Sequence, residues 1–235
     1  MSALTINLPP ILKLTDEQFT KLAVANQDLQ LELTAKGELV IMPPTGGDTG
    51  NRNFEVYIDL GIWNRQTRLG KAFDSSTGFR LPLGGTRSPD ASWVKIERWN
   101  ALTQEQRKKF LPLCPDFALE IVSETDDVEE TRKKMREYLD NGLRLGWLII
   151  SSSVEYLHFG GNKAGGRRQE AGGKKESCKG EGNYNCLSEL DINPKLKQVE
   201  IYRPNREVEL LQSPATLSGE EVLPGFVLDL QPIFV

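Results

Sequence analysis

The chain has 235 residues and a mass of 26.3 kDa, which is enough for one domain with a sizeable core, and we expect a single domain over residues 1–235. Its hydrophobic content of 38% and mean hydropathy of −0.41, without a long apolar run or a signal-peptide pattern, argue against a membrane protein and favour a cytoplasmic one. The net charge of −4 excludes general attraction of nucleic acid to the whole molecule, and three cysteines are too few for a disulfide framework.

The first part of the chain predicts a helix followed by a strand hairpin. Residues 15–18 have the form of a capping box, so a short helix should run from there to about Ala25. Two strands are predicted at 29–33 and 38–42, on either side of a glycine-containing turn.

A longer helix with a basic continuation comes next. From residue 51 to about 68, apolar residues recur at intervals of three and four, which predicts an amphipathic helix with an apolar face formed by Phe54, Tyr57, Ile58, Gly61 and Ile62. Between residues 64 and 88 there are five basic residues against one acid, and these are Arg65, Arg68, Lys71, Arg80 and Arg87. Two interpretations stay open, namely a nucleic-acid-binding patch and a solvated face that happens to be basic.

Two carboxylates mark the strands in the middle of the chain. Asp90 immediately precedes the last of three short strands predicted between residues 71 and 94. Glu120 lies inside the apolar strand 116–122, which is too hydrophobic for a sheet edge. A lone buried carboxylate costs several kcal/mol unless it is paired or bound to a metal. The alternative is that Glu120 lies at a solvated strand end.

The second half predicts a crossover unit followed by an interrupted hairpin. A helix over 126–140 and a strand over 145–150 follow the strand of Glu120, so the two strands should share one sheet. Residues 151–191 alternate glycine pairs with basic pairs and lack apolar periodicity, which predicts a disordered segment. The next strand, at 198–202, would return beside 145–150, so we expect the segment to be an insertion into a β-hairpin.

The residue inventory argues against several common kinds of catalytic site. The single histidine, His158, lies in the predicted insertion, so a catalytic triad would depend on that segment. Cys178 and Cys186 do not have zinc-ligand spacing with it, and no glycine-rich phosphate motif joins a strand to a helix. Asp90, Glu120 and the lysines of the following helix remain. That set suits a hard cation such as Mg²⁺, with an ammonium group beside the attacking water.

The segments around these residues resemble a family of restriction-endonuclease-like proteins that is abundant in cyanobacteria and forms a branch of the PD-(D/E)XK nuclease superfamily. The resemblance is carried by residues 38–44, 88–94, 115–123, 134–138, 146–149 and 223–226. It implies an α/β fold with a mixed β-sheet flanked by helices and an additional β-hairpin region. It also implies an endonuclease that uses Mg²⁺ or Mn²⁺ to hydrolyse DNA phosphodiester bonds. Because restriction-type nucleases often act as dimers, a homodimer is implied as well.

The resemblance assigns the metal ligands by position. Asp90 corresponds to the metal-binding aspartate of the superfamily, and Glu120 corresponds to its second acid. The backbone carbonyl of Ile121 is implied as a further ligand.

The lysine is where this chain departs from the superfamily pattern, because Val122 occupies the expected lysine position. A lysine of the next helix is implied instead, and Lys134 matches best because it lies four residues before Tyr138 on the same helical face, with Lys133 as the second choice. The alternative for Lys134 is a solvated helix lysine. Two alternatives to catalysis also stay open: a nucleic-acid-binding protein that uses residues 65–87, and a degenerate family member that folds but does not cut DNA.

Overall fold

The computed structural model describes residues 4–6, 14–122, 126–151 and 197–234, and these residues form an α/β fold. The helices are α1 (Asp16–Ala25), α2 (Gly47–Thr67), α3 (Ile96–Asn100) and α4 (Val128–Asp140). The strands are β1 (Leu4–Ile6), β2 (Gln30–Leu33), β3 (Leu39–Met42), β4 (Gly70–Asp74), β5 (Phe79–Arg80), β6 (Thr86–Arg87), β7 (Ala91–Lys95), β8 (Phe117–Val122), β9 (Leu145–Ile150), β10 (Gln198–Tyr202), β11 (Glu209–Gln212), β12 (Thr216–Ser218) and β13 (Val227–Asp229). None of the helices in these ranges is long and apolar enough to cross a membrane.

A mixed six-stranded sheet forms the centre of the fold, in the order β11-β10-β9-β8-β7-β4. β8 and β9 are parallel and are connected by α4, so the predicted crossover unit is confirmed. β9 pairs antiparallel with β10, with Ile150 opposite Gln198. The expected α/β class, a mixed sheet flanked by helices, is therefore confirmed.

The two faces of this sheet are covered by different helices. On one face, α2 packs Val56, Leu60 and Trp63 into a cluster with the odd-numbered residues of β7, β8 and β9. On the other face, α4 packs Met135 and Tyr138 against the even-numbered residues of the same strands. Because neighbouring side chains of a strand point to opposite faces, the even-numbered Asp90 and Glu120 belong to the face under α4.

A second sheet lies at the amino-terminal side of the chain, in the order β1-β3-β2-β6-β5. The predicted hairpin is β2 and β3, and α1 begins with the predicted capping box at Thr15, so both predictions are confirmed. α1 buries Phe19 against the apolar side chains of β2. β2 also pairs with β6 through Leu33 and Thr86, which brings β2 close to the chain that leads to Asp90.

The predicted apolar face of α2 was wrong. Phe54, Ile58 and Ile62 are exposed, whereas the apolar residues that α2 buries are Val56, Leu60 and Trp63. α2 contains two apolar rows, and Trp63 packs against Trp93 and Phe226, which fixes the second row against the sheet. Periodicity identified the helix correctly but could not determine which of the two rows faces the core.

The predicted insertion at 151–191 lies outside the described residues, apart from Ser151. His158, Cys178 and Cys186 lie outside them as well. The described strands on either side of the gap, β9 and β10, are neighbours in the sheet, as the hairpin prediction requires.

Candidate active site

Asp90 and Glu120 lie side by side because of the pairing of their strands. β7 runs antiparallel to β8 with Ala91 opposite Leu119, so one step further along the same register Asp90 lies opposite Glu120. The backbone N–H of Ile121 donates to Oδ2 of Asp90 at 2.8 Å, and the Tyr57 hydroxyl donates to the Asp90 carbonyl at 2.7 Å. The Asp90 loop is therefore held from β8 on one side and from α2 on the other.

Lys134 reaches this pair from α4. Its Nζ lies 2.9 Å from Oε1 of Glu120 and donates to the Ser88 carbonyl at 3.2 Å. One helical turn later, the Tyr138 hydroxyl donates to the same Glu120 oxygen at 3.0 Å. Lys134 is only 9% exposed, so it is not a solvated helix lysine.

Lys133, the second choice, is placed differently. Its side chain is 62% exposed and pairs with Glu130 on the surface of the same helix. Val122, at the lysine position of the superfamily pattern, is buried in the apolar cluster under α4. The structure thus places Lys134 beside Glu120 and leaves Lys133 at the surface.

A third carboxylate, Glu32 of β2, was missed by the sequence reasoning. Its Oε1 lies 2.9 Å from Nζ of Lys134 and accepts from the backbone N–H of Ser88 at 2.9 Å. Glu32 is 1% exposed and stands between two buried leucines, Leu31 and Leu33. The same signal that drew attention to Glu120, an acid inside an apolar strand, was present here and could have identified it.

Glu32 is held in turn by Arg87. Nη1 of Arg87 donates to the second oxygen of Glu32 at 3.0 Å, while its Nε and Nη2 donate to Oε2 of Glu137 on α4. The other oxygen of Glu137 accepts from the backbone N–H of Ala35 at 3.2 Å. This chain of contacts links the β2–β3 hairpin, Glu32 and α4 to each other around Lys134.

Only part of the predicted basic patch is therefore exposed at the surface. Arg87 is buried between its partners Glu32 and Glu137, which we call the carboxylate network together with Glu120, Asp90 and Lys134. Arg80 pairs with Asp16 at 3.2 Å and donates to Thr20 at 2.9 Å, so both arginines hold elements of the fold together. The remaining three members of the predicted patch are exposed near the end of α2 and on β4, and they are Arg65, Arg68 and Lys71.

The electrostatics of the site indicate an excess of negative charge. Burial raises the pKa of Glu120 to about 8, and the nearby carboxylates of Asp90 and Glu32 act in the same direction, although Lys134 opposes them. Burial also raises the pKa of Asp90 despite the same lysine. One buried ammonium group thus does not compensate both carboxylates.

Lys134 and Glu32 are held in their charged forms. Burial by itself lowers the pKa of Lys134, but Glu120 and Glu32 outweigh it and raise that pKa above its usual value. Burial acts to raise the pKa of Glu32, but Lys134 and Arg87 outweigh it and lower that pKa. Glu32 is thus an ionised partner of two cations.

The residues fit a hard divalent cation held by two carboxylates. Among the described residues, no group of three or more His, Cys, Asp or Glu side chains is arranged to hold a metal ion. Glu32 is engaged by Arg87, Lys134 and a backbone N–H, which leaves Asp90 and Glu120 as the candidate ligands. Mg²⁺ needs only one or two protein carboxylates because it keeps several waters, and a positive ion would offset the excess charge. The Ile121 carbonyl stays a further candidate ligand.

A cavity of about 610 Å³ lies between the β2–β3 hairpin and α4. Glu32 and Lys134 are part of its lining, so it opens onto the carboxylate network. Its lining contains seven carboxylate side chains and five cationic ones, the latter being Lys36, Arg87, Lys133, Lys134 and Arg136. The cavity itself therefore offers no surplus of positive charge to a phosphate group.

Comparison with known proteins identifies the fold and the family of this chain. The fold is similar to a crystal structure described as that of a putative nuclease belonging to DUF820 from Anabaena variabilis ATCC 29413, with a TM-score of 0.63 and 17% sequence identity over 94% of this chain and 97% of the other. At that identity the likeness concerns the fold. No curated protein matches the chain. The model of the Uma2 family, whose description is "Putative restriction endonuclease", matches residues 16–231, and the chain belongs to that family.

Proposed function

We propose that this protein is an endonuclease that uses Mg²⁺ or Mn²⁺ to hydrolyse phosphodiester bonds of DNA, with an active site of the PD-(D/E)XK type. The observation that carries the proposal is the position of Lys134, whose buried Nζ lies 2.9 Å from Glu120 on the sheet face shared with Asp90. Membership of the Uma2 family and the nuclease-like fold support the same activity.

Asp90 and Glu120 are the proposed ligands of the metal ion. When bound, the ion polarises the phosphoryl oxygen and lowers the pKa of a water molecule. The N–H of Ile121 and the hydroxyl of Tyr57 fix the Asp90 carboxylate and its backbone before any ion binds. Burial excludes bulk water around Glu120, which strengthens its interaction with a cation.

Lys134 is the proposed group that orients the attacking water. Its ammonium group has three donors, which the observed contacts direct to Glu120, Glu32 and, at the longest distance of 3.2 Å, the Ser88 carbonyl, so the water would replace one of these acceptors. Glu32 is a positioning residue, because it holds Nζ of Lys134 from a strand of the second sheet. Arg87 and Glu137 in turn hold Glu32.

The substrate is proposed to be double-stranded DNA, and a homodimer is part of the proposal because two active sites are needed to cut both strands in one encounter. The second candidate is a protein that binds nucleic acid without cutting it. The three exposed cations Arg65, Arg68 and Lys71 favour it, since phosphate contacts need accessible Lys and Arg side chains.

A plasmid-nicking experiment tests the proposal. Supercoiled DNA is incubated with Mg²⁺ or Mn²⁺ and wild type, Asp90→Asn, Glu120→Gln or Lys134→Met. Lys133→Met serves as the matched control on the same helix. We expect nicking by wild type and Lys133→Met and a loss of at least a hundredfold in the three site variants.

Two other results of the nicking experiment would contradict the assigned site or favour the second candidate. Nicking that survives in both Asp90→Asn and Glu120→Gln would show that the site is wrong. Salt-dependent retention of duplex DNA by wild type, without nicking under either metal, would favour the second candidate.

A further inference from the structure

One end of the central sheet carries a group of cations. The strands β9, β8, β7 and β4 are adjacent in that order, and this end is formed by the starts of β9, β8 and β4 and by the end of β7. Three separate segments of the chain contribute exposed or half-exposed cations there. We call these cations the basic row, and they are Arg68, Lys71, Lys95, Arg98 and Arg144. The order of the strands brings them together, although they are far apart in the sequence.

The buried residue Asp116, which immediately precedes β8, fixes the middle of the basic row. Its Oδ2 accepts from the backbone N–H of Lys95 at 2.8 Å. Its Oδ1 lies 3.1 Å from Nη1 of Arg98 and 4.0 Å from Nη1 of Arg144. One carboxylate thus faces two guanidinium groups and cannot neutralise both. Side chains that are already held in place lose less conformational freedom when they bind a ligand, so the two arginines are preorganised donors.

The other members extend the basic row along β4, which is an edge strand. Arg68 is the C-cap of α2 and Lys71 lies on β4, and both are exposed. Within the ranges that the structure describes, neither of them takes part in an ion pair. Residues 60–73 contain no acid. Nζ of Lys95 lies 3.6 Å from Glu97, and an exposed pair of this kind contributes little, so another anion can replace it.

The basic row has an excess of positive charge, although the net charge of the whole chain is −4. Its five cations face the carboxylates of Glu97 and Asp116, so three positive charges are left. The excess does not continue beyond Arg144, because the cavity of about 530 Å³ on that side is lined by two further arginines and by two glutamates. A local excess of this kind in an acidic protein indicates a surface that binds a polyanion.

We propose that the basic row binds the phosphate backbone of duplex DNA outside the candidate active site. Neighbouring strands of a sheet lie about 4.8 Å apart, so the row extends about 14 Å from β9 to β4. Each strand of a DNA duplex carries one charge per about 3.4 Å of helix axis, so this length corresponds to about four phosphates. Three members of the row are arginines, whose planar guanidinium groups bind phosphate through two parallel N–H donors.

The basic row lies at the opposite end of β7 from Asp90. The five residues of β7 separate Asp90 from the end of the strand at Lys95, which corresponds to about 17 Å or about five base pairs of helix axis. The row therefore holds DNA at a distance from the proposed catalytic groups. Since phosphate contacts carry no base information, this binding is independent of DNA sequence. The inference deepens the proposed function and rests on it for the choice of DNA as the polyanion.

DNA binding without metal tests the proposal. A labelled duplex is titrated with protein in EDTA at rising KCl concentrations, which gives the slope of log Kd against log salt. We expect Lys71→Gln and Arg144→Gln each to reduce the slope by about 1, and the double variant to bind about tenfold more weakly or worse. Lys21→Gln is the matched control, because Lys21 is an exposed cation of α1 outside the row, and it should bind like wild type. An unchanged melting temperature shows that the double variant is folded.

Lysine acetylation, read by mass spectrometry, locates the contact on the wild-type protein. Duplex DNA should slow the acetylation of Lys71 and Lys95 by about threefold or more, because bound phosphates cover their ammonium groups. Lys21 and Lys133 are exposed outside the row and should react at the same rate with and without DNA. This measurement does not depend on how well any variant folds.

Four results would overturn the proposal. The first is wild type that does not bind duplex DNA even at low salt, and the second is a double variant with the Kd and the salt slope of wild type. The third is slower acetylation of Lys133 instead of Lys71 and Lys95, which would place the DNA over the cavity beside α4. The fourth is protection of the row by vesicles of anionic phospholipid but not by DNA, because the partner would then be a membrane surface.

These results are independent of nuclease activity. A chain that binds DNA through the basic row but does not nick it would support the inference and contradict the proposed function. A chain that nicks DNA while its row variants bind like wild type would support the proposed function and contradict the inference.

Discussion

The ammonium group of Lys134 lies 2.9 Å from Oε1 of Glu120 and 2.9 Å from Oε1 of Glu32, so one helix lysine joins carboxylates from two different sheets. Val122, which follows Glu120 by two residues, fills the apolar cluster under α4 instead of contributing a charge. The buried lysine beside Glu120 therefore comes from the helix that covers the strand, and its contacts bear on the stability of the fold as well as on the proposed chemistry.

Removing the lysine charge should destabilise the fold. Lys134→Met removes a buried cation from the ionised Glu32, so the free energy of unfolding should fall by about 3–5 kcal/mol at pH 7. Urea denaturation measures this change. Lys133→Met, which removes an exposed lysine from the same helix, should leave the transition midpoint where it is. Equal effects of the two substitutions would contradict the buried ion pairs.

The pH dependence of stability should report on Glu120. Its folded pKa of about 8 lies above the unfolded value, so the folded state binds the extra proton, and Glu120 makes the fold less stable as pH rises from about 4.5 to 8. Glu120→Gln removes this dependence. The difference in unfolding free energy between Glu120→Gln and wild type should therefore shift in favour of the variant between pH 5 and pH 8, by on the order of 2–4 kcal/mol. A pH-independent difference would show that Glu120 is ionised throughout this range.

Arg87 should contribute more to stability than Arg80, although both were predicted to lie in one basic patch. Arg87→Met removes one of the two buried cations beside Glu32 and the cation that pairs with Glu137, and should lower the free energy of unfolding by about 3–5 kcal/mol. Arg80→Met breaks a partly exposed pair with Asp16, for which about 1 kcal/mol or less is expected. Thermal or urea unfolding of the two variants side by side decides between a buried network and a basic surface.

Divalent cations should stabilise the protein through Asp90 and Glu120. At a cation concentration ten times the dissociation constant, the stabilisation is about 1.4 kcal/mol, which is measurable as a rise in melting temperature. Asp90→Asn and Glu120→Gln should abolish the rise with Mn²⁺ or Mg²⁺. Glu200→Gln is the control, because Glu200 is a buried carboxylate of the same sheet that pairs with Arg132. A lost response in the control would place the ion elsewhere.

The local elements could be predicted from the sequence because each is set by short-range chemistry. The capping box at Thr15 and the strand–helix–strand order around α4 use signals that lie within a few residues of each other. Glu120 was noticeable as a charge in an apolar strand, and the resemblance supplied Asp90 and Lys134. The structure brings these three side chains together.

Tertiary packing decided the position of Glu32, the burial of Arg87 and the choice of the buried face of α2. Glu32 belongs to a different sheet, and only the contact between that sheet and α4 brings it to Lys134. Arg87 was expected at a surface, but the burial of Glu32 requires a cation beside it. In α2, the sequence by itself determined a helix with two apolar rows. Packing of Trp63 against the sheet then selected the buried row and left Phe54, Ile58 and Ile62 exposed, because periodicity sets the spacing of side chains along a helix but not the direction from which the rest of the molecule approaches it.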